Sequence, residues 1–320
     1  MDLELRHIGK QYKRRTILED ISFGVGPREL VSVVGPSGAG KTTLLKIIAG
    51  LEQPDTGQVV FSSPPTRENP VIIVFQDYVL FPSMTVRANI GFGLRARKMD
   101  RDLIRKKTDQ MLEYFQLAAQ ADQYPAQLSA GQKQRVAIAR AMVVNPAVLL
   151  LDEPFANLDR NLKMETARFI RNTQKEFGIP TVSVTHDLAE AFAMSDRIGI
   201  LLNQRMEQFD TPEQVYFSPA SRAAAEFLGP VNRIPAALAR QLGPDTGAAG
   251  ENPDQELAVR PENIKITPGS GPGRITEKTF AGHYFAYTVE LDTLKLMVYC
   301  QDGRFKTGQT VSLKLGPGVV

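Results

Sequence analysis

The chain has 320 residues, of which 42% are apolar and 23% charged, and its formal net charge at pH 7 is +3. This length suits one large domain and a small one, the composition is typical of a globular protein, and the weak charge gives no reason to expect nucleic acid as a partner. Cys300 is the only cysteine, which excludes disulfides within the chain and cysteine-based zinc clusters, and we expect a reducing compartment.

The first residues of the chain show no targeting pattern. Residues 1–6 lack a basic start followed by an apolar core, so we expect no signal peptide. No uninterrupted apolar run of about 18 residues occurs, so we expect no membrane span either. Residues 3–33 have the patterns of strands and turns, with one strand predicted at 17–25.

Residues 35–43 fit the phosphate-loop pattern G-x-x-x-x-G-K-[ST] without a departure. An apolar strand pattern at 30–34 precedes them and a helical pattern follows, and this context favours a phosphate site over a simple glycine turn. Loop N–H groups and the positive end of the helix dipole would bind the phosphates. The residues predicted to bind the nucleotide here are Gly35, Pro36, Ser37, Gly38, Ala39, Gly40, Lys41, Thr42 and Thr43.

Two side chains of this loop have predicted chemical roles. Lys41 would reach the β- and γ-phosphates and is therefore a candidate catalytic residue. The Thr42 hydroxyl would hold Mg²⁺. The loop thus predicts a nucleoside triphosphate bound together with Mg²⁺.

The apolar strand predicted at 71–75 ends at Gln76. A polar residue at the end of a buried strand, beside a phosphate loop, can contact a nucleotide or its metal. It can equally be a plain strand terminator, and the position alone leaves both interpretations open.

Residues 85–145 change to helical patterns, with helices predicted at 86–94, 101–117 and 132–144. The basic run from 95 to 107 is expected to be a solvated helix face. Ser129 and Gly131 stand just before the last helix, where N–H groups and a hydroxyl can face an anion. The alternative is a plain helix N-cap.

An apolar strand at 147–151 is followed by two carboxylates, Asp152 and Glu153. Ligands of open α/β sheets bind at the carboxyl ends of the strands. Asp152 would hold Mg²⁺ through water, and Glu153 would be the base that orients the attacking water. The alternative is a strand-end cap, which the nearby phosphate loop disfavours.

His186 follows the next predicted strand, 181–185, and therefore shares its position at a strand end with Gln76 and the two carboxylates. This shared edge favours a functional histidine over a structural one. His7 and His283 have no such neighbours and are expected to be structural or exposed.

The last part of the chain changes character at Gly229-Pro230. A strand pair is predicted at 197–202 and 204–210, and helices near 212–216 and 221–228 come before this change. Beyond the loop 243–254, short strands recur between glycine and proline turns, which indicates a small β-barrel. The predicted strands are 257–260, 264–267, 274–280, 284–291, 295–299 and 310–315.

These motifs, in this order and at this spacing, resemble the nucleotide-binding subunit of an ABC transporter over residues 3–228. The motifs are the phosphate loop, Gln76, Leu-Ser-Ala-Gly-Gln at 128–132, the strand ending Asp152-Glu153, Ala-Asn-Leu-Asp at 156–159, and His186. The five-residue signature at 128–132 is the most specific, because other phosphate-loop ATPases lack it. Ala130 replaces the usual glycine, and we expect a modest effect at most.

The resemblance implies roles for individual residues. Tyr12 matches the aromatic residue that stacks on adenine, and Gln76 the residue that links the metal and attacking water to the membrane partner. His186 matches the switch histidine that contacts the γ-phosphate. Asp159 matches the end of the loop that crosses to the other subunit.

The signature implies a homodimer. Ser129, Gly131 and Gln132 match the residues that bind the γ-phosphate of a nucleotide held by the opposite protomer. The resemblance therefore implies a head-to-tail dimer with two composite ATP sites, and a monomer that hydrolyses ATP poorly.

The C-terminal part of the chain indicates the subclass of transporter. Residues 259–264 resemble the start of the C-terminal barrel of bacterial importer ATPases, such as those serving maltose, spermidine/putrescine, ferric iron, sulfate and molybdate, and residues 211–216 and 227–229 fit the same group. The short barrel and residues 227–232 favour iron, a polyamine or an oxyanion over sugars, by analogy alone.

The resemblance thus implies an α/β fold: a P-loop NTPase (ABC ATPase) core at 1–229, with a helical subdomain at about 84–145, and a small C-terminal all-β, OB-like (TOBE-like) regulatory barrel at 230–320. It implies ATP and Mg²⁺ as cofactors and transmembrane permease subunits as partners, with a solute-binding protein acting indirectly. The chain would lie peripherally on the cytoplasmic face of the inner or plasma membrane. An exposed apolar loop at 76–82, with Tyr78, Leu80 and Phe81, would receive the permease, unless these side chains are ordinary core.

Three other functions remain as alternatives. ABC ATPases of DNA repair or ribosomes usually carry two cassettes, zinc cysteines or long coiled coils, which this sequence lacks. A regulatory protein could use the barrel to sense a ligand, with ATP hydrolysis secondary. A phosphate-loop kinase or GTPase is disfavoured by the signature and by the lack of an Asn-Lys-x-Asp motif.

Overall fold

The structure is a computed structural model and describes residues 2–156, 160–243 and 256–316. By its contacts the chain divides into two compact units, Met1–Pro212 and Glu213–Val320. The predicted domain boundary at 229/230 lies further along the chain and stays a prediction. Within the described ranges, no helix is long and apolar enough to cross a bilayer.

The first unit alternates strands and helices. Its strands are β1 (Leu3–Tyr12), β2 (Arg15–Val25), β3 (Leu30–Val34), β4 (Thr56–Phe61), β5 (Val71–Val74), β6 (Val148–Asp152), β7 (Thr181–Thr185), β8 (Arg197–Leu202) and β9 (Arg205–Asp210). Its helices are α1 (Lys41–Ile48), α2 (Val86–Ile90), α3 (Phe92–Ala96), α4 (Arg101–Tyr114), α5 (Ala130–Met142), α6 (Arg160–Phe177) and α7 (Leu188–Met194).

A six-stranded sheet in the order β5-β6-β7-β3-β8-β9 forms the centre of this unit. The first five strands are parallel, and β9 is antiparallel to β8. Every residue of β3, β6 and β7 is buried, because a parallel sheet is covered on both faces.

The strand register brings four carboxyl ends to one edge of this sheet. Val34 pairs with Thr185, Val184 with Asp152, and Leu151 with Val74. The segments that follow β3, β5, β6 and β7 therefore leave the sheet side by side. Ligands of open α/β sheets bind at this edge.

An antiparallel sheet, β2-β1-β4, packs with α1 against one face of the central sheet. The apolar positions of α1 predicted from its helical period, Leu44, Leu45, Ile47 and Ile48, are all buried. They share a core with Val31 and Val33 of β3. This core fixes the start of α1 directly behind the phosphate loop.

Helices α2 to α5 pack around a second core that includes Phe115, Val136 and Ile138, with Leu149 and Leu151 of β6. The predicted helix at 86–94 is two short helices, α2 and α3, that meet at Gly91. Glycine is a poor helix former, so interrupting the helix there costs little stability.

The second unit is mainly antiparallel β-structure. It contains α8 (Pro212–Phe217), α9 (Arg222–Leu228), β10 (Asn232–Pro235), α10 (Ala236–Leu242), β11 (Glu256–Val259), β12 (Ile264–Phe280), β13 (Phe285–Leu291), β14 (Leu294–Cys300) and β15 (Thr310–Leu315); α8 begins at the last residue of the first unit.

Two sheets, β10-β11 and β14-β13-β12-β15, share one core that includes Ile234, Val259, Tyr287 and Phe305. This arrangement is consistent with the predicted small barrel. The two strands predicted at 264–267 and 274–280 are one strand, β12, of 17 residues. Its pairing with β15 shifts register between Pro268 and Gly273, so the glycine and proline run bends β12 without ending it.

Candidate functional site

The phosphate loop joins β3 to α1, and its glycines are required by the backbone. Gly38 and Gly40 have φ angles of 81° and 99°, a region that favours glycine. Gly40 caps the start of α1, and a Cβ there would lie 2.9 Å from the Ile17 carbonyl oxygen. The loop therefore curls tightly enough to present its N–H groups to an anion.

Lys41 extends back over this loop. Its side chain is 5% exposed, and Nζ donates hydrogen bonds to the carbonyl oxygens of Gly35 at 2.7 Å and Pro36 at 3.0 Å. Burial lowers the pKa of the Lys41 ammonium, and the charges of Glu153 and Asp152 partly offset this effect. The ammonium is thus held beside the loop, where it can donate to phosphate oxygens.

Thr42 and Asp152 form the candidate metal pair. Thr42 Oγ1 donates to Asp152 Oδ1 at 3.1 Å across 110 residues of sequence. Asp152 is 6% exposed, and burial raises the pKa of its carboxyl, an effect that the Thr42 hydrogen bond partly offsets. A hydroxyl and a carboxylate are hard oxygen ligands, and Mg²⁺ is commonly held by one or two such groups with phosphates and water. The pair therefore fits Mg²⁺.

Glu153 and His186 lie side by side at the same edge of the sheet. His186 Nδ1 is 3.2 Å from Glu153 Oε1, and the two side chains are 51% and 21% exposed. Glu153 has a φ of 45°, a left-handed conformation that costs about 1–2 kcal/mol for a residue with a side chain. Such strain is often kept where it orients a functional group.

One cavity of about 290 Å³ brings the phosphate loop together with distant residues. Its lining residues are Tyr12, Ile17, Ser37, Gly38, Gly40, Lys41, Thr42, Thr43 and Glu153. Tyr12, predicted to stack on adenine, thus stands beside the loop although it is far away in sequence. A concave site with a few convergent polar groups is suited to a small-molecule ligand.

The position of Tyr12 depends on a residue that sequence analysis did not find. The Tyr12 hydroxyl donates to Glu52 Oε1, and this bond raises the pKa of Tyr12. Lys10 Nζ lies 3.4 Å from the same carboxylate oxygen. Nothing local in the sequence signals this contact, because Glu52 and Tyr12 meet only through the packing of β1 beside the end of α1.

The remaining predicted site residues do not line this cavity. Gln76 is exposed beyond the end of β5. Ser129 and Gln132 form a capping box at the start of α5: Gln132 N donates to Ser129 Oγ at 3.3 Å, and Ser129 N donates to Gln132 Oε1 at 2.9 Å. Gly131 lies within this first turn. The predicted crossing residue Asp159 lies outside the described residues.

Of the two alternatives left open for Tyr78, the structure shows ordinary core packing and not exposure. Tyr78 is 5% exposed, its hydroxyl donates to the Pro154 carbonyl at 3.3 Å, and burial raises its pKa to about 12. Tyr78 and Val79 have φ angles of 58° and 41°, and this turn directs the tyrosine ring inward. Val79 is 57% exposed instead, and Leu80 and Phe81 are half-buried.

Comparison with known proteins identifies the family. Residues 18–156 match the ABC transporter family model and residues 257–320 match the TOBE domain model. The sulfate/thiosulfate import ATP-binding protein CysA of Xanthomonas campestris is 43% identical over 277 residues, covering 84% of this chain and 81% of that protein. The chain belongs to the ATP-binding proteins of ABC transporters.

Other ABC import proteins are similar over almost the whole chain. The spermidine/putrescine import ATP-binding protein PotA of Nitratidesulfovibrio vulgaris is 36% identical and covers 99% of this chain and 93% of its own length. The Fe(3+) ions import ATP-binding protein FbpC of Rhizobium etli is 38% identical, with coverage of 92% and 89%. The predicted family and importer type are confirmed.

Solved ABC ATPases match the fold. CbiO1 from Clostridium perfringens, part of the ABC transporter complex cbiONQ, has a TM-score of 0.63 at 31% identity and covers 67% of this chain and 91% of its own. The ATP-binding cassette MJ0796, solved as a dimer in a post-hydrolysis state with ADP and Pi, has a TM-score of 0.58 at 31% identity, covering 66% and 98%. The ABC ATPase fold and the nucleotide-binding, ATP-hydrolysing class of the chain are confirmed.

Proposed function

We propose that this chain is the ATP-hydrolysing subunit of a bacterial ABC importer, which energises the uptake of a small solute through a separate membrane permease. The observation that carries the proposal is the cavity that unites Tyr12, the phosphate loop and Glu153. The import proteins for sulfate/thiosulfate, spermidine/putrescine and Fe(3+) among its relatives support the direction of transport. An oxyanion, a polyamine or iron is the favoured solute.

Within the cavity, the ring of Tyr12 stacks on adenine, while Lys41 and the loop N–H groups bind the phosphates. Thr42 and Asp152 would hold Mg²⁺, with Gln76 as a candidate further ligand, and a bound Mg²⁺ would supply positive charge beside the phosphates. Glu153 orients the attacking water and accepts its proton, and His186 contacts the γ-phosphate. The proximity of His186 Nδ1 to Glu153 Oε1 supports their joint action on one phosphate.

A head-to-tail homodimer completes each site. Ser129, Gly131 and Gln132 stand at the N-terminus of α5 and outside the cavity of their own chain. An exposed helix N-terminus suits the γ-phosphate of a nucleotide held by a second copy. The dimeric state of MJ0796 supports this arrangement.

The permease docks against the segment 76–82, where Val79 is the strongly exposed apolar residue. Closure and reopening of the ATPase dimer move the permease, so that hydrolysis is coupled to transport. A solute-binding protein acts on the far side of the permease, and the chain lies peripherally on the cytoplasmic face of the membrane. We further propose an ATPase domain at 1–229 and a regulatory domain at 230–320, which the TOBE match supports.

The experiment is a gentle detergent purification of tagged chain from its native membranes, followed by identification of the proteins that copurify. We expect a membrane permease in stoichiometric amount. If the chain leaves the membrane fraction and brings down ribosomes, DNA or no partner, the transport function falls while the ABC ATPase family stands.

A further inference from the structure

One backbone carbonyl next to Glu153 receives two side-chain hydrogen bonds. The Pro154 oxygen accepts from Gln134 Nε2 at 2.8 Å and from the Tyr78 hydroxyl at 3.3 Å. Gln134 lies on α5, and Tyr78 lies in the turn that follows β5. Three segments that are distant in sequence thus meet at this one oxygen.

Both donors are enclosed: Gln134 is 0% and Tyr78 is 5% exposed. The buried Gln134 Oε1 has no hydrogen-bond partner in the described part of the chain. Exchanging the amide nitrogen and oxygen would set two oxygens against each other, so the nitrogen must face Pro154. A buried amide with only one end satisfied contributes little net stability, which makes stability a weak reason for a glutamine at this position.

Two carbonyls hold the C-terminal side of Glu153: its own, which accepts from Ala156 N at 3.3 Å, and that of Pro154, the one held by side chains. On the other side, Glu153 N donates to the Val184 carbonyl at 2.9 Å. Pro154 has no N–H, so the carbonyl is its only backbone group that can be held. With its φ of 45°, Glu153 needs such anchors on both sides to keep its side chain directed at the cavity.

Helix α5 reaches both donors of this carbonyl. Gln134 is on its first turns, just beyond the capping box at Ser129, and Arg140 on the same helix donates to the Tyr78 carbonyl at 3.1 Å. A change in the position of α5 therefore moves both hydrogen bonds to Pro154 together.

We propose that Gln134 and Tyr78 are positioning residues for Glu153, which tie the direction of its carboxylate to the position of α5. The inference rests on the proposed role of Glu153 in orienting water. Helix α5 would therefore do more than present the signature. Glu153 would be aligned when α5 is in place and would lose that alignment when α5 moves away.

The test compares Gln134→Met and Tyr78→Phe with the unchanged full-length chain. Methionine fills the same space without the bond or the unsatisfied oxygen, and phenylalanine keeps the buried ring. We expect the kcat of ATP hydrolysis to fall about 10- to 100-fold, because small misalignments of a catalytic group have effects of this size. The Kd for MgATP should stay unchanged, and the melting temperature should fall no more than in the control variant.

Gln174→Met is the matched control. Gln174 is 1% exposed, its Nε2 donates to the Ile179 carbonyl at 2.9 Å, and its Oε1 is also without a partner within the described ranges. It lies before β7, at the sheet edge opposite the site. A merely structural role for such a glutamine predicts equal effects at both positions, whereas positioning predicts loss of kcat only at Gln134.

The Glu153→Gln variant distinguishes a failure of the positioning role from a failure of the proposed role of Glu153. If Glu153→Gln abolishes hydrolysis while Gln134→Met and Tyr78→Phe keep kcat within about twofold of the unchanged chain, the positioning role is overturned and the proposed function stands. If Glu153→Gln hydrolyses ATP normally, the proposed role of Glu153 itself fails. In the Glu153→Gln background, Gln134→Met should cause no further loss of hydrolysis.

Discussion

Asp152 places its carboxylate in an almost closed environment beside the phosphate loop. It is 6% exposed and accepts one hydrogen bond from Thr42. Its raised pKa means that ionisation is less favourable in the folded chain than in the unfolded chain. The stability that Asp152 contributes is therefore fully present below its ordinary pKa of 3.8 and is lost as the pH rises through the folded value. At neutral pH the ionised group opposes folding until a cation binds.

Asp152→Asn should therefore raise the melting temperature of the chain at pH 7 without Mg²⁺ or nucleotide, while it lowers Mg²⁺-dependent hydrolysis. The asparagine oxygen can still accept from Thr42, and Glu153 remains as a counter-charge for Lys41. Melting curves of both proteins from pH 7 towards pH 4 check this, because the difference should shrink as Asp152 becomes protonated. A variant that is less stable at pH 7 would contradict the interpretation.

At the residue scale, sequence patterns predicted the positions that the strand register determines. Gln76, Asp152, Glu153 and His186 were expected at one sheet edge. The register places the ends of β5, β6 and β7 side by side, and Glu153 Oε1 lies 3.2 Å from His186 Nδ1 there, whereas Gln76 is exposed. The buried ring of Tyr78 was not predictable, because it depends on two consecutive positive φ angles that no sequence pattern signals. The contact between Tyr12 and Glu52 was not predictable either, because the two residues lie far apart in sequence.

At the element scale, the start of helix α5 is the feature that most favours a dimer. Its capping box satisfies the N–H groups of Ser129 and Gln132 within the same chain. Helix α2 begins in a comparable way, with Thr85 Oγ1 accepting from Ala88 N at 3.2 Å. In both caps, a hydroxyl oxygen accepts a hydrogen bond from the third N–H group of its helix. Only the cap of α5 belongs to the proposed composite site.

Ser129→Ala and Thr85→Ala should each destabilise the chain by about 1 kcal/mol, because each removes one N-cap acceptor. Only Ser129→Ala should also lower the kcat of ATP hydrolysis, since only this hydroxyl would contact the partner's nucleotide. Denaturant melts and steady-state hydrolysis of the two variants check this pair. Equal losses of activity in both would argue that the serine is a plain cap.

At the element scale, periodicity predicted most strands and helices of the first unit but not all of their ends. The break at Gly91 lies inside a continuous helical pattern, and only the packing around α2 and α3 decides it. Strand β12 was divided at its glycine and proline run, because such residues usually mark turns. Pairing with β15 on both sides of the bend keeps the strand continuous.

The whole molecule, under the proposed dimer, holds only half of each ATP site in one chain. A chain with Lys41→Ala keeps its signature, and a chain with Ser129→Arg keeps its phosphate loop. Each variant alone should hydrolyse ATP poorly. An equal mixture should recover about a quarter of the original activity, because half of the dimers are mixed and each holds one intact site of two.

Hydrolysis measured across mixing ratios checks this expectation. Recovery should be largest at equal amounts and should fall towards zero with either variant alone. No recovery at any ratio, with mixed dimers shown to be present, would contradict the composite site. The family was predictable from sequence motifs, and the resemblance of the signature also predicted the pairing of copies. The structure supports that proposal only by placing Ser129 outside the cavity of its own chain.

The capping box of α5 has a further consequence for how two copies would come together. In the single chain, the capping box satisfies two N–H groups at this helix start, those of Ser129 and Gln132. A γ-phosphate from the partner would accept from further N–H groups at this helix start, so the nucleotide of one subunit would act as an N-cap for a helix in the other. In the proposed dimer, ATP would therefore hold the two subunits together at this contact, and cleavage of its γ-phosphate would remove the group that α5 binds.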